Sequence, residues 1–398
     1  MSWKPSTLSR VPRPAPVHGG PTVAGAGPSA ARDLNTARVV AVLRDLGPLT
    51  QAELVRRSGL ARPTVAAIVK DLLDRRIVVE RGPDRSAVSG RPGALLAFDP
   101  RCATVAVVRL LPRSYEVWIA DSDGRFLGHR RSGGRLGSPR VVDRVAVEIA
   151  ALVAELAVPS PSSVAILVVG RVDPRSALCT AAVLGARPVP VSLLEERLGA
   201  AVTIVNPTAA AALGVARTGR HSDALVIFLD RGIGAGLVCG GQVLVGVAGG
   251  AGELGHCRVA GAIDVCECGR TGCLETVAAG WYLQRRATQL IGNRRRVPPT
   301  LAGWEALGDP GLDAVLTDAA GQLGLAASWL VNTLDPAIVL LGGTPFASGA
   351  DRFLGAFAAS VREHVLRSDR PELVIDFAPP TADLDGAAQA ALDRLQIP

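Results

Sequence analysis

Between positions 256 and 275 the chain reads HCRVAGAIDVCECGRTGCLE, with one histidine, four cysteines and a closing glutamate. His256, Cys266, Cys268 and Cys273 offer one imidazole and three thiols, a donor set that borderline-soft Zn²⁺ takes in a tetrahedral site. Glycines at 261, 269 and 272 let so short a loop turn around an ion. Four protein ligands leave no position for water, so such a zinc is structural. Disulfides are the competing use of these thiols and suit a reducing compartment poorly. Cys257 is left over, and an extended segment turns it away from His256. Two carboxylates flank the loop, Glu253 in GGAGELGH and Glu275 in GCLE.

The body that must carry this loop is read from residue 101 onward. The apolar runs ATVAVVRLL, YEVWIAD, VAILVVG, AVTIVN, ALVIFLD, GAGLVCGG and AIVLLGG alternate with Ala/Leu-rich helical stretches at 140–157, 192–199, 208–218 and 312–334. That alternation predicts an α/β domain whose sheets are buried on both faces. The layout suits two lobes with a cleft between them.

Residues 35–98 follow a different pattern. NTARVVAVLRDLG predicts an amphipathic helix with Val39, Val42, Leu43 and Leu46 on one face, ended by Gly47. Thr50 and Glu53 have capping-box spacing, and Ser58-Gly59 make a turn. In the next helix Pro63 sits in the first turn, where its missing N–H costs little. Val65, Ile68, Val69, Leu72 and Leu73 form the apolar face of that helix, opposite Arg62, Thr64, Ala67, Lys70 and Asp71. Two short strands, IVVER and ALLAF, enclose the loop GPDRSAVSGRPG. Three helices and a two-stranded ribbon in this order resemble a winged helix-turn-helix. Its third helix would present Arg62, Pro63, Thr64, Ala67 and Lys70 to the DNA major groove, with Arg91 at the wing tip. The same module also serves as a protein-docking domain.

The charge agrees with a nucleic-acid partner. Residues 1–100 hold 15 basic against 8 acidic residues, and the remaining 298 hold 28 of each, so the whole excess of +7 lies in the first quarter. Residues 1–31, rich in Pro, Gly, Ala and Ser, are expected to be a disordered extension. The expected divisions are thus 1–31, a winged helix-turn-helix at 32–98, and an α/β body at 99–398 with its zinc loop at 256–273. No apolar run reaches the roughly eighteen residues of a bilayer span, and the N-terminus lacks the apolar core of a signal peptide. A cytoplasmic location and no membrane partner are expected.

GELGH, CECGRTGCLE and the upstream GIGAG at 232–236 together resemble the signature of the ROK family of repressors, open reading frames and sugar kinases. The resemblance covers nearly all of residues 35–398. It implies a two-lobed, actin-like sugar-kinase ATPase fold, preceded by the winged helix that the family's repressors carry. It also implies that the zinc loop braces a sugar pocket reached by Glu253, His256 and Glu275, and by the retained Asn206. One ring nitrogen of His256 would hold metal while the other faces sugar.

Where the family's kinases carry DxGxT, this chain places Arg109, Leu111 and Arg113. Where they carry ENDANAAALG, it has VNPTAAAALG, with Pro207 at the catalytic base and Ala209 two places on. DRGIGAG keeps Gly232, Gly234 and Gly236, either as a relic of a phosphate loop or as a tight turn. LLGG at 340–343 matches the family's adenosine-side glycines or is a strand-to-loop turn. The reading implied is a transcriptional regulator, a repressor of carbohydrate genes. It would bind double-stranded operator DNA as a homodimer or homotetramer and respond to a sugar or sugar derivative, without kinase activity. The alternatives are a sugar kinase that also binds DNA and a ligand-blind DNA-binding protein.

Overall fold

The computed structural model describes residues 28–83, 94–111, 113–134, 137, 140–173, 176–185, 187–217, 221–292, 295–346, 349–366 and 373–395. The wing loop at 84–93, with Arg91, lies outside the described residues, as does residue 1–27 of the N-terminal stretch. The chain divides into two compact units at Asp99/Pro100.

In the first unit, helix α1 (Pro28–Leu46) begins four residues inside the segment expected to be an extension. Val39, Val40 and Leu43 are its buried face, while Leu46 is exposed, so the apolar stripe is shorter than its spacing predicts. Strand β1 (Leu49–Thr50) leads into α2 (Gln51–Ser58). The Thr50 hydroxyl accepts the Glu53 N–H, and the Glu53 carboxylate accepts the Thr50 N–H at 2.8 Å, closing the capping box. Gly59, in the left-handed region, ends α2. Helix α3 (Arg62–Asp74) buries Val65, Ile68, Val69 and Leu72. Strands β2 (Val78–Pro83) and β3 (Ala94–Phe98) pair antiparallel, and β1 joins the far edge of β3. The wing is therefore a three-stranded sheet where two strands were expected, because Leu49 and Thr50 find backbone partners in Leu96 and Leu95.

The second unit holds two five-stranded sheets of one topology. The first is a meander of β4 (Thr104–Leu111), β5 (Ser114–Asp121) and β6 (Phe126–Gly133), followed by α4 (Val141–Leu156) and the parallel strand β7 (Ser163–Leu167). A small sheet of β8 (Arg171–Asp173), β9 (Leu178–Thr180) and β10 (Val189–Pro190) precedes α5 (Val191–Leu198) and strand β11 (Ala201–Val205). The strand order is β6-β5-β4-β7-β11.

Helix α6 (Pro207–Arg217) leads to the second sheet, which repeats the plan: meander β12 (Ala224–Leu229), β13 (Ile233–Cys239), β14 (Gln242–Val243). The zinc loop and helices α7 (Glu275–Ala278), α8 (Gly280–Ile291), α9 (Leu301–Leu307) and α10 (Pro310–Leu334) intervene before β15 (Ile338–Gly342). Helix α11 (Asp351–His364), strand β16 (Val374–Phe377) and helix α12 (Ala382–Leu392) complete the chain. The order β14-β13-β12-β15-β16 mirrors the first sheet.

Strands buried on both faces explain the unbroken apolar runs. In β4, Val105 and Val107 face α12 while Ala106, Val108 and Leu110 face the opposite core with α4. In β12, Leu225, Ile227 and Leu229 join the α10–α11 core, and Ala224 and Val226 pack toward α6 and α12. These last two helices lie together between the sheets. A Cβ on Gly386 would overlap the Ala210 carbonyl oxygen, so their crossing requires glycine. Helix α10 is, by length and composition, apolar enough to cross a membrane, but Leu312, Leu316, Leu323 and Val331 are buried in the core.

Candidate functional site: the zinc loop and its cleft

The loop is folded by its own backbone before any side chain is considered. Arg258 bridges to Cys273 and Val265 to Thr271. The Cys266 N–H donates to the Arg270 carbonyl and the Gly269 N–H to Cys266, giving a tight knuckle whose Gly269 has φ +84°. The donor atoms of His256, Cys266, Cys268 and Cys273 all lie within 4.8 Å of one another. Cys268 Sγ and Cys273 Sγ are 3.7 Å apart, far beyond an S–S bond of about 2.05 Å. That distance is near the edge of a tetrahedron built on Zn–S bonds of about 2.3 Å. The Cys3His set therefore fits structural Zn²⁺, and Cys257 is no part of it.

Without an ion, burial pushes the Cys266 thiol up to about 12 and that of Cys273 upward, whereas the Arg270 backbone N–H and guanidinium bring Cys268 down to about 6. Bound zinc would hold all three as thiolates, with His256 as its fourth ligand. His256 turns Nδ1 toward the cluster, 3.8 Å from Cys266 Sγ, and Nε2 toward Glu253 Oε2 at 3.9 Å. One ring edge thus serves metal and the other faces the cleft.

Glu275 is buried. Its Oε1 accepts the Ile233 N–H at 3.0 Å, and Oε2 lies 3.6 Å from Cys266 Sγ. A side chain on Gly232 would strike this carboxylate, and Gly234 and Gly236 bring β13 against Thr208 of α6. With the Asp230 N–H bonded to the Gly232 carbonyl, residues 230–232 make the tight hairpin turn between β12 and β13, and the rest of GIGAG is the start of β13, where Gly234 and Gly236 serve close packing.

Beside the loop opens a cleft of about 540 Å³. Glu253, His256 and Glu275 line it together with Asn206, which lies 47 residues before Glu253 in the chain. Asn206 Oδ1 accepts the Thr208 N–H at 2.8 Å, and its carbonyl accepts the Ala210 N–H. It thereby caps α6, with Pro207 in the first turn. Asp230, not singled out in the sequence, also lines the cleft. Burial pushes its carboxyl up, partly offset by the Thr344 N–H, which donates to it at 2.8 Å.

Arg109, on β4, donates to Asp383 of α12 at 2.6 Å, reaches Glu116 at 3.5 Å and lies over the Trp118 ring. Burial raises Asp383, and the Arg109 charge draws both Asp383 and Asp230 back down. The position aligned with the Asp of DxGxT is thus a guanidinium held between carboxylates. The Gly342–Gly343 pair is a strand-to-loop turn in which Gly343, at φ +116°, lies against the Leu229 carbonyl.

On the first unit, the face of α3 opposite its core presents Arg62, Pro63, Ala66, Ala67 and Lys70, all exposed, with Thr64 half-buried.

A helix-turn-helix module ahead of a duplicated two-sheet, sugar-kinase-like body with a Cys3His loop defines a class of regulator. Residues 115–393 match the ROK family and residues 33–87 the MarR family. The chain belongs to the ROK family, as a transcriptional regulator with a MarR-like N-terminal domain. It is 27% identical over 347 residues to a putative xylose repressor of a Caldicellulosiruptor species, spanning 81% of this chain and 86% of that one. A crystal structure of a ROK family transcriptional regulator, a homologue of the E. coli Mlc protein, superposes with a TM-score of 0.71 at 24% identity over 91% of this chain and 97% of that one. That likeness concerns the fold alone. A ROK family glucokinase from Streptomyces griseus, in complex with glucose and AMPPNP, matches at 26% identity with a TM-score of 0.62. It covers 73% of this chain and 100% of the kinase.

Proposed function

We propose that this protein represses carbohydrate-related genes, binding operator DNA through α3 and responding to a sugar or sugar derivative in the cleft, with no kinase activity. The reading is carried by the exposed surface of α3. Arg62, at its N-terminal end, offers a guanidinium fork to base edges, and Lys70 lies about two turns on for a base or a phosphate. Ala66 and Ala67 between them keep the surface slim enough for a major groove. Arg91 in the wing is assigned to the minor groove or a phosphate. A homodimer or homotetramer would pair two such helices on a pseudo-palindromic operator.

Sugar binding is supported by the convergence of Asn206, Glu253, His256 and Glu275 on one cleft. Carboxylates accept from pairs of hydroxyls, and the free edge of His256 adds a further polar contact. Loss of phosphoryl transfer is supported by Pro207, which has no group that can accept the sugar hydroxyl's proton, and by Arg109, whose bulk and ion pairs occupy the first phosphate position. The putative xylose repressor among its relatives agrees with a sugar-responsive role.

The test is retention of genomic fragments by the full-length protein at physiological salt, followed by sequencing. Pseudo-palindromic sites beside carbohydrate uptake or catabolic genes are expected. Retention that is only nonspecific and salt-sensitive would make the N-terminal module a docking domain. A coupled ATP assay over a hexose and pentose panel is expected to show no phosphorylated product.

A further inference from the structure

The cleft has two chemical halves. One is the polar corner of Glu253, His256 and Glu275. The other is aliphatic: Val169, Leu244 and Val245 also line it, and they are 75%, 40% and 54% exposed. Single apolar side chains in water need no explanation, but three on the wall of one cleft mark a binding surface. They come from both sheets, Val169 just after β7 and the Leu244–Val245 pair just after β14.

This aliphatic lip is held in place. The Leu244 N–H donates to the Leu237 carbonyl of β13 at 2.8 Å, and the Val245 carbonyl accepts the Ala251 N–H at 3.1 Å. Ala251 and Gly252 lead directly into Glu253, and a side chain on Gly252 would overlap the Ala235 carbonyl. Leu244, Val245 and the polar corner are therefore parts of one continuous wall, with Val169 contributed to the same cleft from the other sheet. The volume of about 540 Å³ falls among sites that bury drug-sized ligands, roughly 300–1,000 Å³, and exceeds what one pyranose ring fills. Phe228, Pro207 and Ala209 add further apolar lining.

We propose that the ligand of this cleft is a glycoside with an apolar aglycone, its sugar ring on Glu253 and His256 and its aglycone on Val169, Leu244 and Val245. The proposal rests on the sugar-binding reading above and narrows it from sugars in general to those carrying an aryl or alkyl group. Free hydroxyls satisfy the polar corner, and only an apolar substituent gains from leaving water at the lip.

Binding to the full-length protein would be measured by calorimetry for glucose, xylose and N-acetylglucosamine, and for the methyl and phenyl glycosides of each in both anomers. For at least one sugar the phenyl glycoside is expected to bind roughly tenfold or more tightly than its methyl counterpart. Val245→Asp is expected to bring that ratio close to one, and Val169→Asp provides a second variant should the first fail to fold. Equal affinity for methyl and phenyl glycosides would overturn the aglycone assignment and leave sugar binding standing. A phenyl advantage that survives both substitutions would place the aryl group elsewhere and overturn it too. No binding of any sugar or glycoside would remove the sugar reading itself, and this inference with it.

Discussion

At the scale of single residues, Arg109 ties one element to another and reaches a buried carboxylate in the cleft. Its guanidinium joins β4 to α12 through Asp383, and its charge reaches Asp230 in the cleft. Burial holds both aspartates above the ordinary carboxylate range. A raised folded-state pKa means the native protein keeps these protons longer than the unfolded chain does. These groups therefore withdraw stability as pH rises through their folded values. Arg109 limits that loss. Arg109→Ala is expected to cost about 3 kcal/mol near neutral pH, because it strands a buried carboxylate. The cost should shrink as pH falls, because protonation removes the stranded charge. Thermal melts of the two proteins across pH check this, and a difference that is flat with pH would refute it.

Among the elements, the zinc loop depends most on something outside the polypeptide. Apart from its bridges and turn bonds, the loop buries few apolar side chains, Val259 and Leu274 beside the thiols of Cys266 and Cys273, and it carries exposed Ile263 and Val265. A metal bound a thousandfold below its working concentration would stabilise the folded state by about 4 kcal/mol. Cys273→Ser is expected to remove most of that and to abolish bound zinc, read as metal content per chain together with the melting temperature. An unchanged metal content would reject the Cys3His assignment. The ligand set itself was legible in the sequence, since four soft donors within one short glycine-rich loop have few other uses. The destination of Glu275 was not. Sequence places it beside the cluster, but only packing commits its carboxylate to the Ile233 N–H and the Cys266 thiol.

For the whole molecule, the crossing of α6 and α12 decides how the two duplicated sheets are held together. Ala210, Gly214, Ala382 and Gly386 bring the two backbones into contact. Gly386→Ala would press a methyl group against the Ala210 carbonyl, which cannot move as a flexible side chain can. A loss of about 1–3 kcal/mol is expected from such overpacking, measured by denaturant unfolding. An unchanged midpoint would show that the crossing has room for a methyl group. The duplication was invisible to a search for repeated motifs because the two halves share strand order and not residues.

Local and near-local information was enough for several features: the Cys3His donor set, the Thr50–Glu53 cap, the buried face of α3, and the αβ alternation of the body. Each depends on residue types at short spacings, where backbone geometry leaves few alternatives. The apolar face of α1 was read less well, because Val40 and Leu46 exchange the roles their period suggests when β3 and α2 pack against them. Tertiary structure alone decided that Asn206 would meet Glu253 and His256 across some fifty residues, that Asp230 would join them, and that Arg109 would find Asp383 at a separation of 274 residues. It also set Val169 on the same cleft as Val245. Such pairings follow from which strands become neighbours, and a sequence pattern records only that a strand is apolar, not which strand lies beside it.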